Sequence, residues 1–233
     1  MKLCLAVSLL LAAVAPAVAA TPDIPTLAAA YGARPTARHM QMSPSGDKIL
    51  YFTPFGTQGL AVVVADVAAG TTKILLSSDK ANVVPYNCGW KSDARVICRV
   101  YIIRDTGSER LSFSRAMSIA ADGSSRINLG QRNDMEAIGV DQGGARVIDW
   151  LPDDPDNVLM QVVMAEKSDI GTNIKSRGGG ITVQKVDVNT GKMVALERAS
   201  ASAMGYDSDN RGQVRFMMIG ERADTGYQRD TIS

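Results

Sequence analysis

The sequence has few of the residues that carry most enzyme chemistry. It contains one histidine, three cysteines and only 5% aromatic residues. Its 25 Lys and Arg nearly balance its 24 Asp and Glu, and no run of basic residues occurs. Nucleic acid and anionic membrane surfaces are therefore poor partners for this chain. It has no C-x-x-C pair, and the glycines at 178–180 lack the Lys-Ser/Thr of a phosphate-binding loop, so neither a redox dithiol nor a cofactor is predicted.

The first twenty residues have the layout of a secretory signal. Lys2 supplies a positive start, residues 3–14 are apolar except for Ser8, and small residues follow at 17–20. Cleavage after Ala19 or Ala20 would leave a mature chain of about 213 residues with 24 basic and 24 acidic side chains. An uncleaved membrane anchor is the alternative. We expect residues 1–20 to be removed, the mature protein to be periplasmic or secreted, and no membrane contact afterwards.

Two cysteines, Cys88 and Cys98, remain in the mature chain. The stretch NCGWKSDARVICRV is typical of two strands around a turn near Ser92-Asp93-Ala94, and antiparallel pairing about Asp93 places Cys88 opposite Cys98. Directly opposed residues are nearly close enough for a disulfide after a modest adjustment. In an oxidising compartment we expect a structural disulfide, and two buried free thiols are the alternative.

The mature chain is predicted to be all-β. Its apolar runs are short, rich in Val and Ile, and bounded by Gly, Asp, Asn and Ser, as at 61–67, 95–103, 157–164 and 181–188. A single short helix is expected around residues 25–31.

These strands recur in a fixed order. A turn leads into an apolar strand, then a variable loop, a strand ending in Asp, a Gly turn and a last strand. The leading pairs 49–50, 96–97 and 158–159 are 47 and 62 residues apart, and Asp66, Asp122 and Asp187 are 56 and 65 apart. Four-stranded repeats of about 40–50 residues are typical of β-propeller blades, and the longer spacings indicate loop insertions such as 165–180.

The repeat predicts the domain organisation. After a short segment at 21–35, blades are expected at about 36–80, 81–132, 133–199 and 200–233, the last of them partial. The predicted fold is thus an incomplete propeller of about three and a half blades, whereas propellers have about four to eight. A cut blade leaves an unpaired edge, so we interpret the chain as the front part of a longer protein; a self-sufficient small domain is the alternative.

Three segments resemble a known family. The stretches YGARPTARHMQMSPSGDKILYF (31–52), CGWKSDARVICRV (88–100) and WLPDDPDNVLM (150–160), placed after a signal, are similar to the amino-terminal propeller of secreted bacterial serine peptidases of the prolyl-oligopeptidase family. That group includes dipeptidyl- and acylaminoacyl-peptidase-like enzymes. The resemblance covers the chain from about Tyr31 to its end.

The resemblance implies a propeller that caps a carboxy-terminal α/β-hydrolase domain and restricts access to short or unfolded peptides. The serine of such a triad lies on a G-x-S-x-G elbow, which these 233 residues lack. The single histidine, His39, falls near the start of the propeller, where no triad histidine belongs. No catalytic residue is therefore assigned, and the peptide substrate would be reached through a hydrolase domain absent from this sequence.

Other polar residues have ordinary interpretations beside functional ones. The acidic cluster at 153, 154 and 156 could suggest calcium, but its Pro-flanked position favours a turn. The segment DSDNRG (207–212) has Arg211 where a calcium loop needs an oxygen ligand, and it is interpreted as a blade turn. Trp90 and Trp150 occupy corresponding positions in two blades, where packing between blades is expected and ligand stacking is the alternative. No metal site is predicted.

Two hypotheses for function remain open. The chain is the non-catalytic, substrate-gating propeller of a secreted serine peptidase, or it is a periplasmic propeller that binds a protein or peptide as a scaffold. Fold alone does not choose between these two roles.

Overall fold

The computed structural model describes residues 23–79, 82–105, 107–130, 144–164, 179–222 and 228–232. The predicted signal at 1–20 lies outside the described residues, as does most of the predicted insertion at 165–180. The chain divides into two compact units, with the boundary between Arg34 and Pro35.

The first unit contains the predicted short helix. This helix, α1 (Ile24–Gly32), begins after Asp23, whose carboxylate accepts a hydrogen bond from the Thr26 backbone N–H at 3.3 Å. Pro25 lies in the first turn, where its missing N–H costs nothing. None of the helical residues is buried.

The second unit consists of four antiparallel sheets. The first contains β1 (Arg38–Met42), β2 (Lys48–Phe55), β3 (Gly59–Asp66) and β4 (Thr71–Ser78). The second contains β5 (Val83–Ser92), β6 (Arg95–Asp105), β7 (Arg110–Ala120) and β8 (Arg126–Leu129). The third contains β9 (Ala145–Asp149), β10 (Asn157–Met164), β11 (Gly180–Asp187) and β12 (Met193–Ala195). The fourth contains β13 (Ala203–Ser208), β14 (Val214–Arg222) and β15 (Gln228–Ile232).

Each sheet is a simple meander in which strands adjacent in sequence are adjacent in space. The turns between the first and second strands, and between the third and fourth, therefore lie at the same end of the sheets, which we call the turn face. The Asp-to-Gly segments predicted as hairpin turns are the third turns of their sheets. In the third of these sheets, Asp187 Oδ1 accepts hydrogen bonds from the backbone N–H groups of Asn189 and Thr190, and Gly191 has a φ of 74°, a conformation that favours glycine.

Successive sheets pack face to face through three apolar seams. The first seam joins sheets one and two through Leu50, Phe52, Val62, Val64, Leu75, Leu76, Cys88, Val96, Cys98, Val100 and Ile119. The second joins sheets two and three through Ile97, Ala116, Leu129, Ala145, Val158, Met160, Val162, Val186 and Val188. The third joins sheets three and four through Leu151, Leu159, Val183, Ala203 and Tyr206.

The seams explain the continuous apolar runs. Along β6, Val96 and Cys98 point into the first seam while Ile97, between them, points into the second. A strand covered on both faces needs apolar residues at every position and not only at alternate ones. Meandering sheets stacked in chain order are consecutive propeller blades, so the predicted incomplete propeller is confirmed.

The disulfide lies inside the second blade. Cys88 and Cys98 are directly opposed on β5 and β6 and are bonded to each other. The turn between the strands is formed by Asp93 and Ala94, with Ser92 opposite Arg95, and a bulge between Trp90 and Ser92 shifts the register by one residue so that Cys88 lies opposite Cys98. The local hairpin therefore sets the pairing that the sequence predicted.

We expect the disulfide to stabilise the folded chain. Replacing both residues, Cys88→Ala with Cys98→Ala, should lower the free energy of unfolding by about 2–3 kcal/mol, because the unfolded chain regains the freedom of a closed loop of about ten residues. Urea unfolding followed by tryptophan fluorescence measures the change. Reduced wild-type protein is the matched control, since it keeps both sulfur atoms. Alkylation of both cysteines in unreduced protein from an oxidising compartment would contradict the bridge.

Candidate binding surface on the turn face

Polar contacts near the turn face cross every seam between the first strands of neighbouring blades. At the first seam, Gln41 Nε2 donates to the Cys88 carbonyl at 2.9 Å, and Trp90 Nε1 donates to the Gln41 carbonyl at 3.2 Å. The Ser45 backbone N–H also donates to Asp93 Oδ1 at 2.9 Å, and this bond lowers the pKa of the Asp93 carboxyl. β1 and β5 are thus held together although they share no ladder of backbone hydrogen bonds.

A lysine spans the second seam. Lys91 Nζ donates to the carbonyl oxygens of Trp150 at 2.5 Å and Leu151 at 2.9 Å. Burial lowers the pKa of the Lys91 ammonium, and the nearby carboxylates of Asp154 and Asp149 oppose that shift. The lysine is therefore committed to backbone acceptors of the next blade, which suits it to alignment of the blades.

A buried carboxylate spans the third seam. Asp149 is fully buried; its Oδ1 accepts from the Leu151 N–H at 2.9 Å and its Oδ2 from the Gly212 N–H at 2.8 Å. Ser208 Oγ donates to the Ile148 carbonyl at 2.9 Å in the same region. Asp149 thus connects the end of β9 to the first turn of the fourth blade, 63 residues away.

Both tryptophans lie at blade seams, as the sequence predicted. Trp90 packs against the first apolar seam. The ring of Trp150 lies over Gly89 of the preceding blade, where an added Cβ would be 2.8 Å from Cη2 of the indole. Trp150 remains 38% exposed, so part of its ring faces solvent as well as the neighbouring blade.

The acidic residues singled out in the sequence form turns. Asp154 accepts from Asn157 Nδ2 at 2.9 Å and pairs with Lys185 Nζ at 2.7 Å. Asp209 accepts from the backbone N–H groups of Arg211 at 2.9 Å and Gln213 at 3.1 Å. Within the described ranges, no three His, Cys, Asp or Glu side chains are arranged to hold a metal ion.

The surroundings of His39 differ from those of the acidic turns. It lies on β1 with a φ of 52°, is exposed, and its ring contacts Phe52 edge-on at 5.5 Å. No other histidine exists in the sequence. Serine-histidine catalysis requires an imidazole within hydrogen-bond reach of the serine, and the contact described for the His39 ring is with Phe52.

The turn face carries a polar groove that crosses three blades. It is lined by Lys48 from the first blade, by both turns of the second blade, and by Asp156 and Asn189 from the third. Arg95 Nε donates to Asn189 Oδ1 at 3.0 Å, and Asn189 Nδ2 donates to Asp156 Oδ1 at 2.8 Å.

Charges of both signs line the groove. Asp93 and Asp122 face it beside Lys48 and Arg95, and hydrogen bonds from Ser124 lower the pKa of the Asp122 carboxyl. An open groove with charges of both signs can bind a polar or zwitterionic chain through hydrogen bonds, and no histidine lines it among the described residues.

Sequence reasoning missed the residues that span the seams. Gln41, Lys91 and Asp149 have no motif, because their partners are 47 to 63 residues away in sequence. The only local signal is their position beside the predicted first turns. No helix among the residues that the structure describes is long and apolar enough to cross a membrane.

The structural neighbours of the chain are the β-propeller domains of prolyl-oligopeptidase-family peptidases. The propeller domain of the Trilobed protease from Pyrococcus furiosus is 13% identical, and the match covers 84% of this chain and 53% of that one, with a TM-score of 0.42. For the acylaminoacyl peptidase of Pyrococcus horikoshii the identity is 15%, the coverage 85% and 30%, and the TM-score 0.46. A puromycin hydrolase is 14% identical, and the match covers 78% of this chain and 24% of that one, with a TM-score of 0.42.

The chain therefore spans about half the length of the first of these proteins and less than a third of the other two. No model of a protein family matches the chain, and no curated protein matches it. The propeller assignment follows from the chain's own sheets and seams.

Removal of the buried carboxylate should open the third seam. Asp149→Ala leaves the backbone N–H groups of Leu151 and Gly212 without their acceptor, and charge-assisted hydrogen bonds contribute about 1.5–3 kcal/mol each. We expect the free energy of unfolding to fall by about 2–4 kcal/mol, measured by urea unfolding. The matched control is Asp153→Ala, an exposed aspartate in the adjoining turn, which should change stability by less than about 0.5 kcal/mol. Equal effects of the two substitutions would contradict the role of Asp149.

Acid should remove the contribution of Asp154. The Lys185 ammonium and the Asn157 amide lower its pKa from 3.8 to about 2, so its stabilisation is complete above pH 3.8 and is lost as the pH falls through 2. Because both side chains are partly exposed, Asp154→Asn should cost less than about 1 kcal/mol at pH 5. Urea unfolding should show this difference shrinking toward zero at pH 2. A stability difference between wild type and Asp154→Asn that persists at pH 2 would show that the Asp154 charge is not the cause. An equal stability loss for Asp153→Asn would show the same.

Proposed function

We propose that this chain is the non-catalytic propeller portion of a secreted serine peptidase that acts on short peptides. The observation that carries the proposal is the placement of the three family-like segments. Residues 31–52, 88–100 and 150–160 each contain the first turn of a blade and the start of its second strand. A resemblance that falls at the same structural place in three successive blades supports descent from one kind of propeller.

The role we propose is a gate in front of a catalytic domain. Blades packed through apolar seams form a stiff wall. Such a wall can restrict access to a catalytic site, so that only short or unfolded chains pass. The polar groove on the turn face suits contact with peptides, because its fixed charges of both signs match their termini and amides. The reaction itself is assigned to an α/β-hydrolase domain with a Ser-Asp-His triad, since this sequence has no G-x-S-x-G and its one histidine, His39, contacts Phe52.

A binding scaffold without catalytic activity is the second candidate. The observation that favours it is that the sequence has no G-x-S-x-G and that its one histidine, His39, contacts Phe52. Under this proposal the same groove recruits a protein or peptide, and no hydrolase domain is involved.

A fluorophosphonate serine probe separates the two candidates. Native protein captured from its source cells with an antibody to this chain should carry the label, and the labelled peptide should contain a G-x-S-x-G absent from these 233 residues. The isolated 233-residue chain should stay unlabelled, and the captured protein should begin near Thr21 if the signal is removed. A captured protein without label, together with a co-purified partner, would support the scaffold. A label on any residue of this chain would contradict both candidates.

A further inference from the structure

A cluster of one arginine, two tyrosines and a serine lies in the second blade, away from the turn face. We call it the Arg99 cluster; it consists of Tyr86 on β5, Arg99 and Tyr101 on β6, and Ser114 on β7. Arg99 and Tyr101 alternate with residues of the first seam and lie on the same face of β6 as Ile97. The cluster therefore lies on the side of the second blade that faces the third.

The guanidinium of Arg99 is held in one orientation. Its central carbon lies 5.2 Å from the centroid of the Tyr86 ring. Nη2 donates to Ser114 Oγ at 3.2 Å, and the Tyr86 hydroxyl lies 3.2 Å from the same oxygen. The Tyr86 ring in turn packs against the Tyr101 ring, with the two ring centroids 4.7 Å apart. Stacking on one side and a hydrogen bond at the edge leave this side chain little rotational freedom.

The positive charge of Arg99 has no carboxylate against it among the residues that the structure describes. Ion pairs among the described residues include Lys185 with Asp154 and Arg215 with Asp209, and neither involves Arg99. Nε of Arg99 is buried without a hydrogen-bond partner, and an arginine stays charged at all ordinary pH values. A positioned guanidinium whose enclosed Nε has no acceptor is a poor arrangement for stability alone, and a ligand would meet the terminal nitrogens of the guanidinium and not Nε.

We propose that the Arg99 cluster binds a carboxylate group carried beside an aromatic or apolar side chain, as at the carboxyl terminus of a short peptide. Guanidinium and carboxylate form paired, charge-assisted hydrogen bonds. Because Arg99 is already positioned by Tyr86 and Ser114, binding costs little further ordering. Tyr101, which is 44% exposed, offers an aromatic face to the neighbouring side chain of the ligand.

The peptide nature of the ligand rests on the proposed function, whereas the carboxylate does not. Two sources of the group are possible, a terminal carboxylate and an acidic side chain. Three probe peptides distinguish them: Ala-Ala-Phe as the free acid, Ala-Ala-Phe amide, and Ala-Glu-Phe amide. Their binding to the full 233-residue chain is measured by titration calorimetry, which needs no catalysis.

The wild-type chain should bind the free acid at least ten-fold more tightly than Ala-Ala-Phe amide. Arg99→Gln should remove this preference, and Arg99→Lys should retain only part of it, because an ammonium cannot form the paired bonds. Tyr101→Ala should weaken the binding of both the free acid and the amide, while the preference for the acid remains. Arg110→Gln, which changes an exposed arginine of the same blade, should leave binding unchanged. Tight binding of Ala-Glu-Phe amide would assign the site to acidic side chains.

Equal affinity of the wild-type chain for acid and amide would overturn the proposal. So would an Arg99→Gln or Arg99→Lys variant that keeps a wild-type unfolding midpoint and the full preference. A chain that binds the acid selectively, while the native protein resists the fluorophosphonate probe, would preserve the carboxylate site and reject the peptidase. Labelled native protein whose propeller shows no such selectivity would support the peptidase and reject the carboxylate site.

Discussion

The two middle sheets of this chain each bury both of their faces, and the rest of the structure depends on that requirement. A lone four-stranded meander cannot cover the apolar residues that β6 and β10 present on both sides. Stacking the sheets in chain order covers them, with Cys98 in one seam and Ile97 in the next. The regular packing explains why strand runs are continuously apolar in a protein with almost no helix among its described residues.

Apolar seams hold neighbouring blades together but only weakly fix how far one blade is shifted along the next. Polar contacts near the turn face fix that alignment. Gln41, Lys91 and Asp149 each reach from one blade to the backbone of another, from positions beside the first turns of their blades. A buried carboxylate or a desolvated ammonium is costly without its partners, so a shifted register would be strongly disfavoured. These contacts thereby fix the alignment of neighbouring blades.

Under the proposed function, binding and reaction lie in different parts of the protein. The turn-face groove and the Arg99 cluster offer fixed charges and aromatic surface, which are the means of recognising a polar ligand. Neither contains a histidine among its described residues, and the His39 ring contacts Phe52 of the first blade. This division agrees with a propeller that selects what reaches a reactive site placed elsewhere, and it also allows a scaffold that only binds.

The sequence by itself determined the strands, their turns, the order of the blades and the pairing of Cys88 with Cys98. These features depend on alternation, turn residues and hairpin register, which act over about ten residues. Only the tertiary structure decided that Trp150 covers Gly89, that Asp149 holds the turn at Gly212, and that the Arg99 guanidinium stacks on Tyr86. Bulges, sheet twist and the packing of one blade on the next set these contacts, and no local pattern of residues encodes those distances.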